Sequence, residues 1–65
     1  MKVFVLESGW AGHFSIKAVF SSREAFYATR INPLKVLKYQ RVSDTEEMYA
    51  FENETMYLTE VEMIS

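Results

Sequence analysis

"VFSSREAFYATRINP", residues 19–33, decides the fold, because a strand end, a helix start, a helix and a helix stop follow one another within it. Ser21-Ser22-Arg23-Glu24 has the form of a capping box. In that motif Ser21 accepts from the amide of Glu24, and the Glu24 carboxylate returns to the amide of Ser21. Asn32-Pro33 stops the helix, since proline disfavours helical geometry in the residue before it. At about 100° per residue, Tyr27, Ala28 and Ile31 share the arc expected to face a sheet. Arg23, Phe26 and Arg30 share the opposite side. That placement predicts an outward Phe26 flanked by two arginines, a candidate interface.

Upstream, "KVFVLES" (2–8) is β-branched and aromatic, and Ser8-Gly9 ends it as a strand. "GWAGH" (9–13) holds both glycines and reads as the hairpin loop. Trp10 in that loop is a further contact candidate, against the plainer reading that it folds over the core edge. "HFSIKAVF" (13–20) alternates with period two, Phe14, Ile16, Ala18 and Phe20 on one face and Ser15 and Lys17 on the other. Together these segments predict an antiparallel hairpin with a loop of about five residues.

Downstream, "LKVLKYQRV" (34–42) fits a helix through Leu34, Leu37 and Arg41. It fits a strand slightly better through Leu37 and Tyr39 against Lys38 and Gln40, as an edge whose lysines discourage pairing with other chains. "SDTE" is a turn or loop. "EMYAFENETMYLTEVEMIS" (47–65) reads as a second hairpin turning at Asn53-Glu54. Phe51 then opposes Met56 and Tyr49 opposes Leu58 on one face. Met48, Ala50, Tyr57, Val61 and Met63 lie on the other. Neither face is polar, and one short helix covers only one side of a sheet. Met48 and Tyr57 therefore join the interface candidates. The expected fold is α+β: a small single domain over 1–65, ββα followed by two or three strands, an antiparallel sheet with one helix packed on one face.

Composition points the same way. A chain of 65 residues buries only about 60% of its unfolded surface, so its own core is marginal. Domains this small often add disulfides, a metal or oligomerisation. Cysteine is absent, and 49% of residues are hydrophobic and 15% aromatic. Association or a very well packed core remains, and the apolar load favours self-association as a homodimer. Net charge is −2 but uneven. Residues 1–43 carry seven basic side chains against Glu7 and Glu24, whereas residues 44–65 carry seven acidic ones and no Lys or Arg. The two halves are expected chiefly to neutralise each other across the sheet.

Catalytic chemistry finds little support. His13 is the only histidine, and without cysteine it cannot anchor a zinc site of the usual four N or S ligands. No calcium loop, P-loop or G-x-G-x-x-G occurs. His13, a serine and Asp44 could be drawn as a triad, but no nucleophile elbow accompanies them. The expectation is a non-enzymatic protein with no cofactor and no metal.

Nucleic-acid binding is the alternative class. It draws on the basic first half, with Trp10, Phe26 and Tyr39 as stacking groups and Lys35, Lys38 and Arg41 as phosphate contacts. A pI near 5.2 opposes it. The acidic candidates Glu52, Glu54, Glu60 and Glu62, with Glu46 and Glu47, could instead imitate a phosphate backbone. No apolar run nears the roughly 18 residues of a membrane span, and the start of the chain is too short in apolar residues for a signal-peptide core. The cytoplasm is the expected compartment.

"KVFVLESG" followed by "AVFSSREA" resembles a family of small uncharacterised bacterial and phage domains. Their pattern is a K-V-[YF]-V-L-E strand, a second strand ending V-F-S-S-x-E-x-A, a helix and a closing acidic strand like "YLTEVEMIS". The similarity covers roughly the first 30 residues and weakly the last ten. "AFYATRI" and residues 32–47 depart from it. The resemblance implies a β-β-α-β type fold and a phage or prophage setting, and no activity. It extends the protein-binding expectation to a phage-type effector or inhibitor that modulates a host protein in the host cytoplasm.

Overall fold

A computed structural model describes residues 1–10 and 12–64. Strands β1 (Lys2–Trp10) and β2 (His13–Phe20) precede helix α1 (Arg23–Arg30) and a single 3-10 turn (Pro33–Lys35). Strands β3 (Lys38–Arg41), β4 (Glu46–Ala50) and β5 (Thr55–Glu62) follow. The five strands form one sheet in the order β2-β1-β5-β4-β3, each pair antiparallel. The protein is a small α+β fold, with a single helix lying on one side of a single sheet.

The core forms where α1 meets the middle of the sheet. Leu6, Phe26, Tyr49 and Leu58 are fully buried, with Phe4, Ala18, Phe20, Ile31, Phe51 and Met56 packed around them. Phe26 is its centre: it is 0% exposed, and its ring lies 5.4 Å from Tyr49 and 5.8 Å from Phe20. The outward placement expected of Phe26 is therefore overturned, and the helix register with it. Arg23, Phe26 and Arg30 do share one arc, but that arc turns towards the sheet, carrying Arg23 onto buried Glu47. Tyr27 and Ala28, expected inside, are exposed.

The helix cap also lies one residue later than expected. Ser22, in extended geometry at φ −151° and ψ 159°, accepts from the amide of Ala25 at 3.1 Å. It takes the capping role assigned above to Ser21. The cap does not decide which face turns inward; packing does, with the Phe26 ring closing on Phe20 and Tyr49. Burying Phe26 leaves no hydroxyl to satisfy; Tyr27, at the margin, bonds its hydroxyl to that of Tyr49 at 3.2 Å. Glu24 in the first turn and Arg30 in the last suit the helix dipole. Asn32-Pro33 lies beyond the end of α1, where Asn32 caps the 3-10 turn through the Leu34 amide at 3.1 Å.

The first hairpin is tighter than the position of the glycines suggests. Trp10 pairs with His13, which leaves only Ala11, outside the described residues, and Gly12, at φ 86°, between the strands. Gly9 is inside β1, not in a loop, and glycine is required there: an added Cβ would lie 1.9 Å from the His13 carbonyl oxygen.

In β2 the simple alternation fails. Leu6 pairs with Ala18 and Glu7 with Ile16, so Lys17 is the extra residue of a bulge. Ala18 and Phe20 join the core, while Phe14 and Ile16 pass to the other face of the sheet. Residues 34–42 divide between the 3-10 turn and the edge strand β3. The second hairpin turns at Glu52-Asn53, where the Phe51 amide bonds the Glu54 carbonyl at 2.8 Å. Tyr49 consequently pairs with Met56, not Leu58. A slide of two residues keeps every side chain on its expected face.

Candidate interaction surface

Side chains on the sheet face away from α1 fall into rows fixed by the strand register. Across β2, β1, β5 and β4 these rows are Val19–Val5–Thr59–Glu46, Ile16–Glu7–Tyr57–Met48 and Phe14–Gly9–Thr55–Ala50. Val3 and Val61 pair beside the first of them. No element of the described chain lies over this face. Ile16 is 66% and Val19 58% exposed, whereas Val5, Met48 and Tyr57 are half-buried among their neighbours.

Gly9 shapes the surface. Lacking a side chain, it leaves a gap in its row, and Phe14 leans across to meet the Tyr57 ring edge-on at 5.3 Å. The result is an apolar patch with one carboxylate, Glu7, near its middle and a second, Glu46, at the end of its first row. Among the described residues neither the Glu7 carboxylate nor the Tyr57 hydroxyl has a hydrogen-bond partner. Of the interface candidates drawn from the sequence, Met48 and Tyr57 lie on this face. Trp10, the last residue of β1, is exposed and by alternation lies on the side of Leu6 and Ser8, not on this face.

The arginine candidates lie elsewhere. Arg23 Nη2 approaches Glu47 Oε1 at 2.9 Å in an ion pair without hydrogen-bond alignment. Arg41 Nη1 lies 3.8 Å from Glu47 Oε2, which also accepts from the Tyr39 hydroxyl. Glu47 is only 5% exposed, so this cluster ties α1 to β3 and β4 through one buried carboxylate. The hydrogen bond to Glu47, aided by burial, raises the Tyr39 phenol above its ordinary value. Burial and the Tyr27 contact raise that of Tyr49 further. Arg30 lines an open groove with Leu34, Leu37, Phe51 and Met56, between the 3-10 turn and the second hairpin.

The acidic candidates do not form one free stripe. Glu60 pairs with Lys2 at 3.2 Å, Glu62 with the terminal amine at 3.3 Å, and Glu54 accepts from the Ser8 hydroxyl; Glu52 is exposed in the turn. Lys2, Arg23 and Arg41, all from the basic part of the chain, are thereby engaged by acids of the second part. Among the described residues no three His, Asp or Glu side chains could hold a metal ion together, and no helix is long and apolar enough to cross a membrane.

Nothing in the sequence marked Phe14, Ile16, Val19 or Val5 as surface residues, because the intact alternation of β2 hid the bulge. Comparison with protein-family models, with curated proteins and with solved structures finds no match to this chain.

Proposed function

We propose that this protein is a small non-enzymatic protein-binding module that works through the sheet face opposite α1 and modulates the protein it binds. The observation that carries this reading is the contiguous apolar surface built by Val5, Phe14, Ile16, Val19, Met48 and Tyr57 on a sheet covered on one side only. The largest apolar patch on a monomer is often a functional surface, and patches larger than a few hundred Å² mark interaction sites. Tyr and Met are among the residue types enriched at such contacts. The resemblance to small phage domains supports a host protein as the partner.

Affinity capture from a lysate tests this by comparing the wild-type chain with an Ile16→Lys/Val19→Lys variant. Both positions are exposed, so the variant keeps its core. A protein retained by the wild type and lost with the variant supports the reading. Identical protein sets retained by both chains would sink it.

A further inference from the structure

We infer that a second copy of this chain closes the open face, packed sheet on sheet about a two-fold axis that runs along the strands between β1 and β5. The inference rests on the reading of that face as a protein-binding surface and names a second copy as its occupant, in place of a host protein.

The rows are self-complementary about that axis. It lays β2 over the partner's β4 and β1 over the partner's β5, so each row meets itself reversed. Phe14, the largest apolar side chain of its row, then lies on the strand that faces the partner's Ala50, a small residue. Ile16 faces the partner's Met48. Glu7, the carboxylate within the patch, faces the partner's Tyr57, whose hydroxyl can donate to it. A generic apolar partner would leave Glu7 desolvated and unpaired. An axis through β1 would set Glu7 against its own copy, and an axis through β5 would set Phe14 against the partner's Lys38. The axis between them joins the Glu7 acceptor to the Tyr57 donor, and in the first row it sets Val19 against the partner's Glu46.

Area and edges favour the same geometry. Four strands about 4.8 Å apart and about 26 Å long present roughly 500 Å² of sheet plane per copy. Two copies bury on the order of 1,000 Å² before side-chain relief is added, close to the lower limit for a specific complex. The alternative of edge-to-edge pairing is opposed at both ends of the sheet. β3 is short and carries Lys38 and Arg41, and β2 is interrupted by its bulge at Lys17.

Sedimentation equilibrium between about 1 and about 500 µM is the primary test, a range that brackets a micromolar dissociation constant. The expected result is a mass rising from 7.6 kDa to twice that value. Ile16→Lys should weaken association at least tenfold with an unchanged far-ultraviolet spectrum, since Ile16 makes little of the monomer core. The geometry is read by mixing Ile16→Cys and Met48→Cys chains, otherwise free of cysteine, with a bis-maleimide matched to the roughly 10 Å sheet separation. The mixed pair should cross-link well above either variant alone. A monomer throughout, a dimer indifferent to Ile16→Lys, or preferential Ile16-to-Ile16 cross-linking would each overturn the inference. A monomer whose captured protein is still lost with the Ile16→Lys/Val19→Lys variant would remove the dimer and leave the binding face standing.

Discussion

Phe26 and Glu47 are both buried under α1, and each holds the helix by a different physics. The Phe26 ring is enclosed by Phe20, Tyr27 and Tyr49. Phe26→Ala should cost about 3–5 kcal/mol through lost transfer energy and the cavity left behind. That equals roughly the whole stability that a core of this size supplies, about 3–5 kcal/mol. Circular dichroism at room temperature should therefore show a largely unfolded chain. A cooperative urea transition near the wild-type midpoint would contradict this placement.

Glu47 is compensated by charge. Arg23 and Arg41 are partly exposed and can rehydrate, so Glu47→Gln should cost less, about 1–3 kcal/mol. A double-mutant cycle of Arg23→Ala with Glu47→Gln should show a coupling of about 1 kcal/mol. A coupling near zero would mean the pair only decorates the surface. Tyr39 adds a pH dependence. Its folded pKa is raised above the unfolded value of about 10, so its contribution is fully present below pH 10 and is lost as pH rises through the folded value. Tyr39→Phe should flatten that part of the alkaline stability profile; an unchanged profile would count against the Glu47 hydrogen bond.

Among the elements, α1 shows how close the sequence comes to deciding a structure. Its existence, its start within one residue and its stop at Asn32-Pro33 are all legible. Its rotation is not, because Phe26 and Tyr27 are neighbouring aromatic residues and the pattern of so short a helix lets either face the sheet. Packing makes the choice, by burying Phe26, which needs no hydrogen bond. Ser22→Ala should therefore lower stability by about 1 kcal/mol, and Ser21→Ala by no more than about 0.5 kcal/mol, in urea melts. The reverse order would place the cap at Ser21.

Strand β2 hides its structure for a related reason: period two runs unbroken through Lys17, and only pairing with β1 reveals the extra residue. The β4–β5 hairpin tolerates the opposite kind of error, since a two-residue slide leaves both faces intact. Gly9 was legible as a special position but not as a strand residue. Gly9→Ala must displace the His13 carbonyl, and we expect a loss of at least about 2 kcal/mol, measured by thermal melting. An unaffected midpoint would show that the hairpin relaxes around the new methyl group.

At the scale of the whole molecule, size and composition raised the expectation of a partner but gave it no location. The helix face suggested by Phe26 is the core, and the surface left over is the opposite side of the sheet. Charge separation along the chain resolves into ion pairs between its two parts, with Lys2 on Glu60 and Arg23 and Arg41 on Glu47. Four fully buried large side chains make a small core, and a second apolar layer over Ile16, Val19 and Tyr57 would add to it.

The measurement that tests this most directly is a dilution series followed by two-dimensional NMR of the wild-type chain. Resonances of Val5, Ile16, Val19, Met48 and Tyr57 should shift with concentration, while those of Phe26, Tyr27 and Leu34 stay fixed. Spectra independent of concentration, or shifts confined to the groove around Leu34, Leu37 and Phe51, would contradict the assignment of the open sheet face as the surface on which this protein associates.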